Sequence, residues 1–581
     1  MNVYDYLVLF GTMLGIAGYG VWRTRGRRDL RTYLKGDQGT RALMIGLSVM
    51  ATQASAITFL STPGQGYESG LGFVQNYFGA PFALIIIAMV FVPIYRRMNV
   101  YTAYEYLGQR FDAKTRLLGA GLFLLQRGLG AGLTVYAPAI VLSTVMGWRL
   151  DMTILGSGLV AIVYTVMGGS EAVNLTQRYQ FSIILIGMVA AFVVLLHKLP
   201  AGLSFTDSLA LAGGFHKLEA VDFSISVNKR YTFWSGLLGG MFLALAYFGT
   251  DQSQVQRYLS GASLRNSRLG LMFNALLKIP MQFFILLLGA LLFVFYQFEL
   301  PPVLFNSAAW TAQVAKEPQS PLRAIEREFA DVHGQKKRVL RRWIEARHAG
   351  DSVAAAAARS EAESAQKRLD AIRTEAQKQL LAAVPGAKGS DTDYVFIRFI
   401  VDYLPHGMIG LLVAVFFAAT LSAKSAELNA LGSTTTIDLY RHLMRRPVPE
   451  EHFVAASKFF TVMWGLVALG FALSIHMAEN LIQAVNILGS VFYGVVLGIF
   501  LTAFFLKTVR GTAVFWGAVV SQCLVIALYF TLHISYLWYN IIGCAACMAM
   551  SLLLQWAITM RGVNAVSKMG GADAVNDVAA L

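Results

Sequence analysis

Two ionisable residues of opposite charge lie in the middle of one long apolar stretch of the sequence. Lys424 and Glu427 are three positions apart within residues 406–436. On a helix this spacing puts both side chains on one face, within reach of a salt bridge. An ionised group in an apolar span is costly unless it is paired or hydrated. Two interpretations stay open: a buried pair that orders the surrounding helices, or an ammonium group that replaces a bound cation.

Polar and small residues are also concentrated in an earlier apolar stretch. Residues 46–67 have the sequence GLSVMATQASAITFLSTPGQGY, with more hydroxyl and amide groups than a lipid-facing helix carries. Such side chains face the interior of a helix bundle, and interrupted helices at mid-membrane depth can bind an ion or a polar solute. Alternatively, the hydroxyl groups bond to their own helix and the small residues permit close helix packing.

Transmembrane helices must position these residues. The chain of 581 residues is 56% hydrophobic and 14% charged, and its mean hydropathy is +0.55, which excludes an ordinary soluble protein. Each span must satisfy its own backbone hydrogen bonds in the bilayer, so helices follow. The apolar runs predict an all-α polytopic membrane protein with about thirteen spans, near residues 4–22, 41–61, 74–95, 117–146, 150–167, 178–197, 232–249, 270–297, 406–436, 453–475, 480–507, 512–532 and 537–558.

Basic residues in the short loops predict the orientation of these spans. Lys and Arg follow the first, third, seventh, ninth and eleventh spans, and such residues are retained on the cytoplasmic side. We therefore expect a bacterial inner-membrane protein with its amino terminus outside and its carboxyl terminus in the cytoplasm. This topology accounts for the net charge of +15, so no nucleic-acid partner is expected. The first stretch lacks the features of a cleavable signal peptide and is predicted to be a span.

One large polar segment, residues 316–391, separates the eighth and ninth spans. It is rich in the helix formers Ala, Arg, Glu, Lys and Gln, and its break at residues 348–352 lets Asp351 or Ser352 cap a second helix. The apolar spacing predicts two arms that pack on each other, with Ile325, Phe329, Val339 and Leu340 on one arm and Leu369, Ile372 and Leu380 on the other. A solvated extracytoplasmic insertion is one interpretation, and a lid or partner-binding element is the other.

Five motifs in the same order resemble those of the sodium/solute symporter family, over about residues 41–440. They are residues 51–67, residues 101–111 (YTAYEYLGQRF, similar to TxxEYLxxRF), residues 168–180 (GGSEAVNLTQRYQ, similar to GGxxAVxWTDxxQ), residues 250–259 (TDQSQVQRYL, similar to NQxxVQRYL) and residues 428–440. Residues 136–138 look most like the branch that carries iodide, monocarboxylates and vitamins.

The resemblance implies a core of two five-helix repeats of inverted topology. The boundaries that follow are a leading helix and basic loop (1–40), the first repeat (41–197), an outer loop (198–231), the start of the second repeat (232–315), the insertion (316–391), the rest of the second repeat (392–510), two trailing helices (511–562) and a cytoplasmic tail (563–581). The first helix of each repeat carries a break, at residues 53–55 and near residues 249–251, and solute and ion should meet between these helices.

The resemblance also implies a sodium site, from which this sequence departs at two positions. The implied oxygen ligands, which hard cations prefer, are the carbonyls of Ala51, Ala54 and Ala419 and the hydroxyl of Ser422. Ala423 stands at the family's second hydroxyl position, and Gln177 stands where the family places an aspartate near the cytoplasmic ion exit. With Lys424 beside this site, we expect weak sodium dependence. No cofactor other than sodium is expected.

The family pattern further implies which residues contact the solute. The candidates are Gln53, Ser55, Thr58, Tyr77 and Asp251. Relatives carry Asn at the position of Asp251, whose carboxylate could pair with a cationic solute or accept hydrogen bonds from the helix turn. Gln177, Lys424 and Glu427 are the candidates for coupling.

A secondary active transporter for a small polar or anionic solute, working by alternating access, is the function that the resemblance implies. The alternatives are a proton-coupled or uncoupled transporter with a degenerate sodium site, a solute sensor built on a transporter body, and a membrane enzyme. No output domain follows residue 562, and neither a metal-spaced histidine cluster nor a nucleophile–base–acid set occurs in the spans. Cys544 and Cys547 lie in an apolar helix without a His or carboxylate partner and are expected to be packing residues.

Overall fold

The described structure is built almost entirely of helices. The computed structural model describes residues 2–24, 41–53, 56–98, 100–306, 310, 321–383, 390–444, 448–474 and 480–569, and it gives the backbone alone at residues 14, 16–24, 56, 167–180, 321, 422 and 562–569. Within these residues, eight helices are long and apolar enough to cross a membrane, and five shorter apolar helices accompany them. The predicted all-α class is confirmed, while the count of thirteen spans stays a prediction.

The α-helices are numbered here in chain order. They are α1 (Val3–Thr24), α2 (Ala42–Gln53), α3 (Ala56–Ser69), α4 (Ala80–Ile86), α5 (Val92–Met98), α6 (Ala103–Arg110), α7 (Ala113–Met146), α8 (Leu150–His197), α9 (Phe205–Gly214), α10 (Gly240–Thr250), α11 (Gln252–Leu259), α12 (Leu264–Phe298), α13 (Pro321–His348), α14 (Ser352–Ala383), α15 (Val395–Tyr403), α16 (Met408–Thr434), α17 (Arg441–Leu443), α18 (Glu450–Ser474), α19 (Leu481–Phe505), α20 (Gly511–Thr531) and α21 (Tyr536–Met569). Short 3-10 helices span Gly70–Tyr77 and Thr392–Tyr394, and π-helical turns span Ile87–Phe91, Ser235–Gly239 and Thr435–Tyr440.

Helix α8 covers the region where two separate spans were expected. Its backbone is helical from Leu150 to His197, but its two arms meet α16 at different heights. Thr165 donates a hydrogen bond to Ser425, whereas Gly187 packs against Leu412, about 20 Å nearer the start of α16. The described backbone is one continuous helix in this region, and the two separate spans stay a prediction.

The break expected near residues 249–251 separates α10 from α11. Asp251 has an extended backbone, and its carboxylate accepts a hydrogen bond from the Ser253 N–H at the start of α11. Backbone carbonyls at the end of α10 lose their helical partners and accept tyrosine hydroxyls instead, at 2.7 Å for Gly249 and 2.8 Å for Thr250. The interruption is thus satisfied inside the protein, as a non-aqueous setting requires. The break expected at residues 53–55 lies partly outside the described residues, between the end of α2 and the start of α3.

Small residues let α3 pack very closely on its neighbours. A Cβ added to Gly66 would lie 2.4 Å from the Leu286 carbonyl oxygen on α12, and one added to Gly289 would lie 2.0 Å from the Pro63 carbonyl oxygen. Side chains larger than hydrogen would separate the two backbones. Part of the small-residue pattern in residues 46–67 is therefore explained by packing, as the alternative interpretation holds.

The polar segment between α12 and α15 contains two helices, α13 and α14, joined by a tight turn. Asp351 is the capping residue, because its carboxylate accepts the N–H groups of Val353 and Ala354 at 3.1 and 2.9 Å. The arms pack together through a cluster that includes Ile325, Phe329 and Leu369. We call α13 and α14 together the hairpin.

The hairpin is docked on the membrane-embedded body. Val339, Leu340 and Trp343 of α13 share a buried cluster with Phe293 of α12 and Leu211 of α9. His333 contacts the Tyr296 carbonyl at 3.0 Å, and His348 contacts Asp207 at 3.0 Å. One face of the hairpin is therefore not solvated. That the hairpin is an extracytoplasmic insertion stays a prediction, as do the residue boundaries of the insertion and of the two repeats.

Candidate functional site

A cavity of about 100 Å³ lies where α2, α3, α7, α10, α12, α16 and α19 approach one another. The first predicted helix of each repeat contributes to its wall, through Gln53 and Thr58 on one side and Tyr247 on the other. Two amide atoms near it, Oε1 of Gln53 and Nδ2 of Asn486, are buried without a hydrogen-bond partner among the described residues. Buried amide groups are normally paired, so the wall offers both an acceptor and a donor to a polar ligand.

The structure brings together three of the five residues expected to contact the solute. Gln53, Thr58 and Tyr77 line the cavity. Ser55 lies outside the described residues. Asp251 does not line the cavity, since it sits behind the Arg127 and Tyr493 side chains that do.

Asp251 is fully occupied by protein partners. Its carboxylate accepts the Ser253 hydroxyl at 2.6 Å and the Tyr493 hydroxyl at 3.1 Å, and it lies 3.6 Å from the Arg127 guanidinium. Of the two roles open from sequence, accepting hydrogen bonds from the helix turn is the one observed. Pairing with a cationic solute would require Asp251 to give up partners that already neutralise it.

Lys424 and Glu427 are joined through a third residue instead of pairing directly. The Thr134 hydroxyl on α7 lies 2.8 Å from Lys424 Nζ and 2.9 Å from Glu427 Oε2. Lys424 also donates to the Ala131 carbonyl, and the cation 3.6 Å from Glu427 is Arg127. The expected direct salt bridge is therefore replaced by a bridge to α7, because α7 packs against the face that carries both residues. Arg178, considered as a further neighbour, has no described side chain.

Arg127 is the centre of this arrangement and was not singled out from the sequence. Its guanidinium donates to the Ser253 hydroxyl at 2.7 Å, lies between Asp251 and Glu427, and stands 5.6 Å from the Tyr247 ring centroid. We call Arg127, Asp251, Lys424 and Glu427 the charge cluster. An arginine in the apolar run 117–146 is as costly as the lysine in 406–436, so the same argument could have found it.

Lys278 on α12 is a second cation that the sequence analysis missed. It lines the cavity, is 2% exposed, and holds its ammonium nitrogen 4.8 Å from the Tyr77 ring centroid. Within the described residues it donates no hydrogen bond and has no carboxylate within 4.0 Å. Its position inside the apolar run 270–297 was the available signal.

The positions implied for sodium are only partly described. Ala51 and Ala419 are buried on α2 and α16, two helices in contact. Ala54 and the side chains of Ser422 and Gln177 lie outside what the structure describes. Lys424 directs its ammonium group at Ala131 and Thr134 on α7, so its described contacts are not with the Ala51 region.

Comparison with known sequences decides the family. The model of the sodium:solute symporter family matches residues 33–319 and 373–521. The chain belongs to this family. Its members are secondary transporters rather than enzymes, and this chain is accordingly a multi-pass membrane transporter. Residues 320–372, most of the hairpin, lie outside the matched segments.

Individual relatives agree with this assignment. The chain is 26% identical to the human sodium/iodide cotransporter, over 92% of this chain and 71% of that one. It is 26% identical to human sodium-coupled monocarboxylate transporter 1, over 86% and 68%. It is 24% identical to the sodium/sialic acid symporter of Proteus mirabilis (strain HI4320), over 96% and 94%. A solved sodium-coupled sialic acid symporter in a substrate-bound outward-open state shares its fold, with a TM-score of 0.72 at 22% identity over 95% of this chain and 98% of that one.

Proposed function

We propose that this symporter carries a small anion together with sodium, and that Lys278 balances the charge of the bound anion. The supporting observation is the difference between Lys278 and the other buried cations beside the cavity. Arg127 and Lys424 are matched by Asp251 and Glu427, so the charge cluster is neutral as a whole. Among the described residues of the cavity wall, Lys278 is the cation without a carboxylate partner.

An anion in the cavity would offset the cost of burying Lys278. Moving one charge out of water costs several kcal/mol unless an opposite charge compensates it. The ring face of Tyr77 supplies a part of that compensation, since cation–π contacts contribute about 0.5–2 kcal/mol. The relatives named above are described as transporters of iodide, of monocarboxylates and of sialic acid, which are anions. This chemistry supports the same class of solute here.

Sodium is the coupling ion that family membership supports, and we propose the carbonyls of Ala51, Ala54 and Ala419 with the Ser422 hydroxyl as its ligands. Of these residues, Ala51 lies on α2 and Ala419 and Ser422 lie on α16, and these two helices are in contact. The alternative in which the Lys424 ammonium replaces sodium is disfavoured, because that ammonium binds α7. The site still lacks one family hydroxyl at Ala423, which favours weak binding of the ion.

We also propose that the hairpin faces the outside of the cell and that the carboxyl terminus is cytoplasmic. The support is the distribution of basic residues in the loops that follow alternate spans. The bacterial inner membrane is the location that we propose with this orientation.

Uptake by purified protein in liposomes tests the proposed solute class. Iodide, short monocarboxylates and sialic acid would be compared with a neutral sugar and an organic cation, under imposed sodium or potassium gradients. We expect Lys278→Met to raise the KM for the transported anion by about tenfold or more, which corresponds to about 1.4 kcal/mol. Lys278→Arg, which keeps the charge, should lose less.

The matched control is Lys198→Met, an exposed lysine after α8. Its anion KM should equal that of the unmodified protein. Uptake of the neutral sugar or the cation in place of every anion, or an unchanged anion KM in Lys278→Met, would contradict the proposal.

A further inference from the structure

We propose that Arg373, on the hairpin, is a positioning residue for transport: it holds the segment that closes the route between the outside and the cavity. Arg373 belongs to α14 and is largely buried. It lies outside the solute and sodium positions discussed above. The proposal rests on the contacts of Arg373, on those of the segment that Arg373 holds, and on the position of this segment between two cavities.

Arg373 connects the hairpin to two separate parts of the body. Its guanidinium donates to the Asp391 carboxylate at 3.0 Å and to the Tyr67 hydroxyl at 3.5 Å, and it stacks 5.0 Å from the Phe305 ring centroid. The same Asp391 carboxylate accepts the Phe305 N–H at 2.6 Å. A charge-assisted hydrogen bond of this kind is about twice as strong as a neutral one, and the carboxylate of Asp391 raises the pKa of Arg373 although burial opposes it.

The segment Asp391–Tyr394, which Arg373 holds at one end, joins two helices that line the cavity. Thr392 donates from its hydroxyl to Glu68 at 2.8 Å, and its carbonyl packs where a Cβ on Gly64 of α3 would lie 2.1 Å away. Asp393 accepts the N–H of Leu481, the first residue of α19, at 3.2 Å. The segment therefore bonds to α3 on one side and to α19 on the other.

Next to this segment lies a second cavity, of about 670 Å³, which we call the vestibule. Its wall includes Arg373, Tyr67, Asp391 and Gln483. On α19, Gln483 faces the vestibule while Ile482 and Val485 face the cavity. Both spaces are lined by α3 and α19, the helices that the segment Asp391–Tyr394 joins, so we expect a solute that moves between the spaces to pass between these helices.

These contacts give Arg373 a role in setting how often the route opens. Separation of α3 from α19 must break bonds to the segment or carry the segment along with one helix. Arg373 fixes the segment to Tyr67 on the α3 side. When the helices separate, either the two hydrogen bonds of Arg373 or the bond between Asp393 and α19 must break, and Arg373 keeps the segment in place against α19. Arg373 is the first residue of the second segment that the family model matches, next to the part of the hairpin that lies outside the match.

Accessibility of a reporter cysteine tests the proposal in the full-length protein. Cys523, Cys544 and Cys547 are first replaced by Ala, and Val485→Cys reports on the cavity. Gln483→Cys, in the vestibule, identifies the face from which a membrane-impermeant thiol reagent reaches the hairpin side. We expect Arg373→Met to raise the modification rate of Val485→Cys from that face by about three- to tenfold, as a shifted open–closed equilibrium requires, without changing the rate of Gln483→Cys. Arg373→Lys should give an intermediate rate.

The matched control is Arg342→Met, which breaks an exposed ion pair with Glu361 on the same hairpin and should leave both rates unchanged. An unchanged or slower rate for Val485→Cys in folded Arg373→Met would overturn the proposal, as would an equal increase in Arg342→Met. Should Arg373→Met fail to fold, Asp391→Asn gives the same decision, because it removes the same ion pair from the other side. The test needs no transported solute, so its failure is separate from failure of the anion proposal.

Discussion

Two buried cations beside the cavity have opposite surroundings. Arg127 has two carboxylates, a serine hydroxyl and an aromatic ring around its guanidinium. Lys278 has one aromatic ring and, among the described residues, no carboxylate within 4.0 Å. Arg127 therefore joins α7 to α11 and α16 as part of the fold, whereas Lys278 retains a charge that a ligand can neutralise. Two cations buried beside the same cavity thus differ in their partners. Arg127 has a structural role, and the role that we propose for Lys278 is to bind the solute.

Removal of the Arg127 charge should give the largest effect. Arg127→Met leaves Asp251 and Glu427 buried without their shared cation, and breaking a buried pair in this way costs about 3–5 kcal/mol. We expect a large fall in the yield of monodisperse protein and in its melting temperature in detergent. Lys278→Met should retain both, because it removes a charge that has no carboxylate partner.

The double variant Arg127→Met with Glu427→Gln separates charge from shape. It removes one of the two stranded carboxylates, so it should recover part of the stability lost in Arg127→Met. Equal melting temperatures for Arg127→Met and Lys278→Met would contradict the distinction between the two cations.

The sequence predicted which regions of the chain matter better than it predicted their partners. Lys424 and Glu427 were found because ionised residues are conspicuous in apolar runs, and Arg127 and Lys278 carry the same signal. Thr134, which bridges Lys424 to Glu427, carries no such signal. Its role depends on how α7 packs against α16, which no local pattern of sequence specifies.

In the hairpin too, local features were predictable from the sequence and contacts between distant segments were not. The amphipathic spacing and the Asp351 cap were readable, because both are local. The contact of Trp343 with Gly214 and the burial of Leu340 against Phe293 were not readable, because they join segments far apart in the chain. Val339 and Leu340 were assigned to contacts between the arms. They also pack the hairpin against the body.

Addition of the missing hydroxyl should have an intermediate effect, on sodium rather than on folding. Ala423 is buried on α16 next to Ser422, and one more oxygen replaces part of the hydration that sodium loses on binding. We expect Ala423→Ser to lower the sodium concentration for half-maximal uptake by about three- to tenfold, equivalent to about 0.7–1.4 kcal/mol. Ala423→Gly, which adds no oxygen, is the control.

Uptake by the unmodified protein could contradict this prediction for Ala423→Ser. Saturation of its uptake at low millimolar sodium, with no further gain in Ala423→Ser, would show that three carbonyls and Ser422 suffice. The departure at Ala423 would then have no functional consequence for coupling.

Lys336 of the hairpin is a third buried lysine, after Lys278 and Lys424, and it extends the comparison of buried cations to the hairpin. It is 1% exposed, donates to Gln366, and lies 5.1 Å from the Phe215 ring centroid. Burial lowers the pKa of Lys336 to about 7, with Asp370 acting against this shift and Lys217 adding to it. The unfolded chain keeps its proton up to about pH 10. Between pH 7 and pH 10 the unfolded state therefore binds more protons, so stability should rise with pH across this window and be lowest at and below pH 7.

Lys336→Met should abolish that pH dependence, and the expected slope is small. One proton contributes at most about 1.4 kcal/mol per pH unit, and local opening of the hairpin would reduce the value seen in global unfolding. We expect the melting temperature of Lys336→Met to exceed that of the unmodified protein at pH 7 and to approach it at pH 10. Lys367→Met, an exposed lysine of the same hairpin, should show the unmodified pH profile. A profile for Lys336→Met that parallels the unmodified one from pH 7 to pH 10 would mean that Lys336 stays protonated in the folded hairpin, held by Asp370 and the aromatic rings as Lys278 is held by Tyr77.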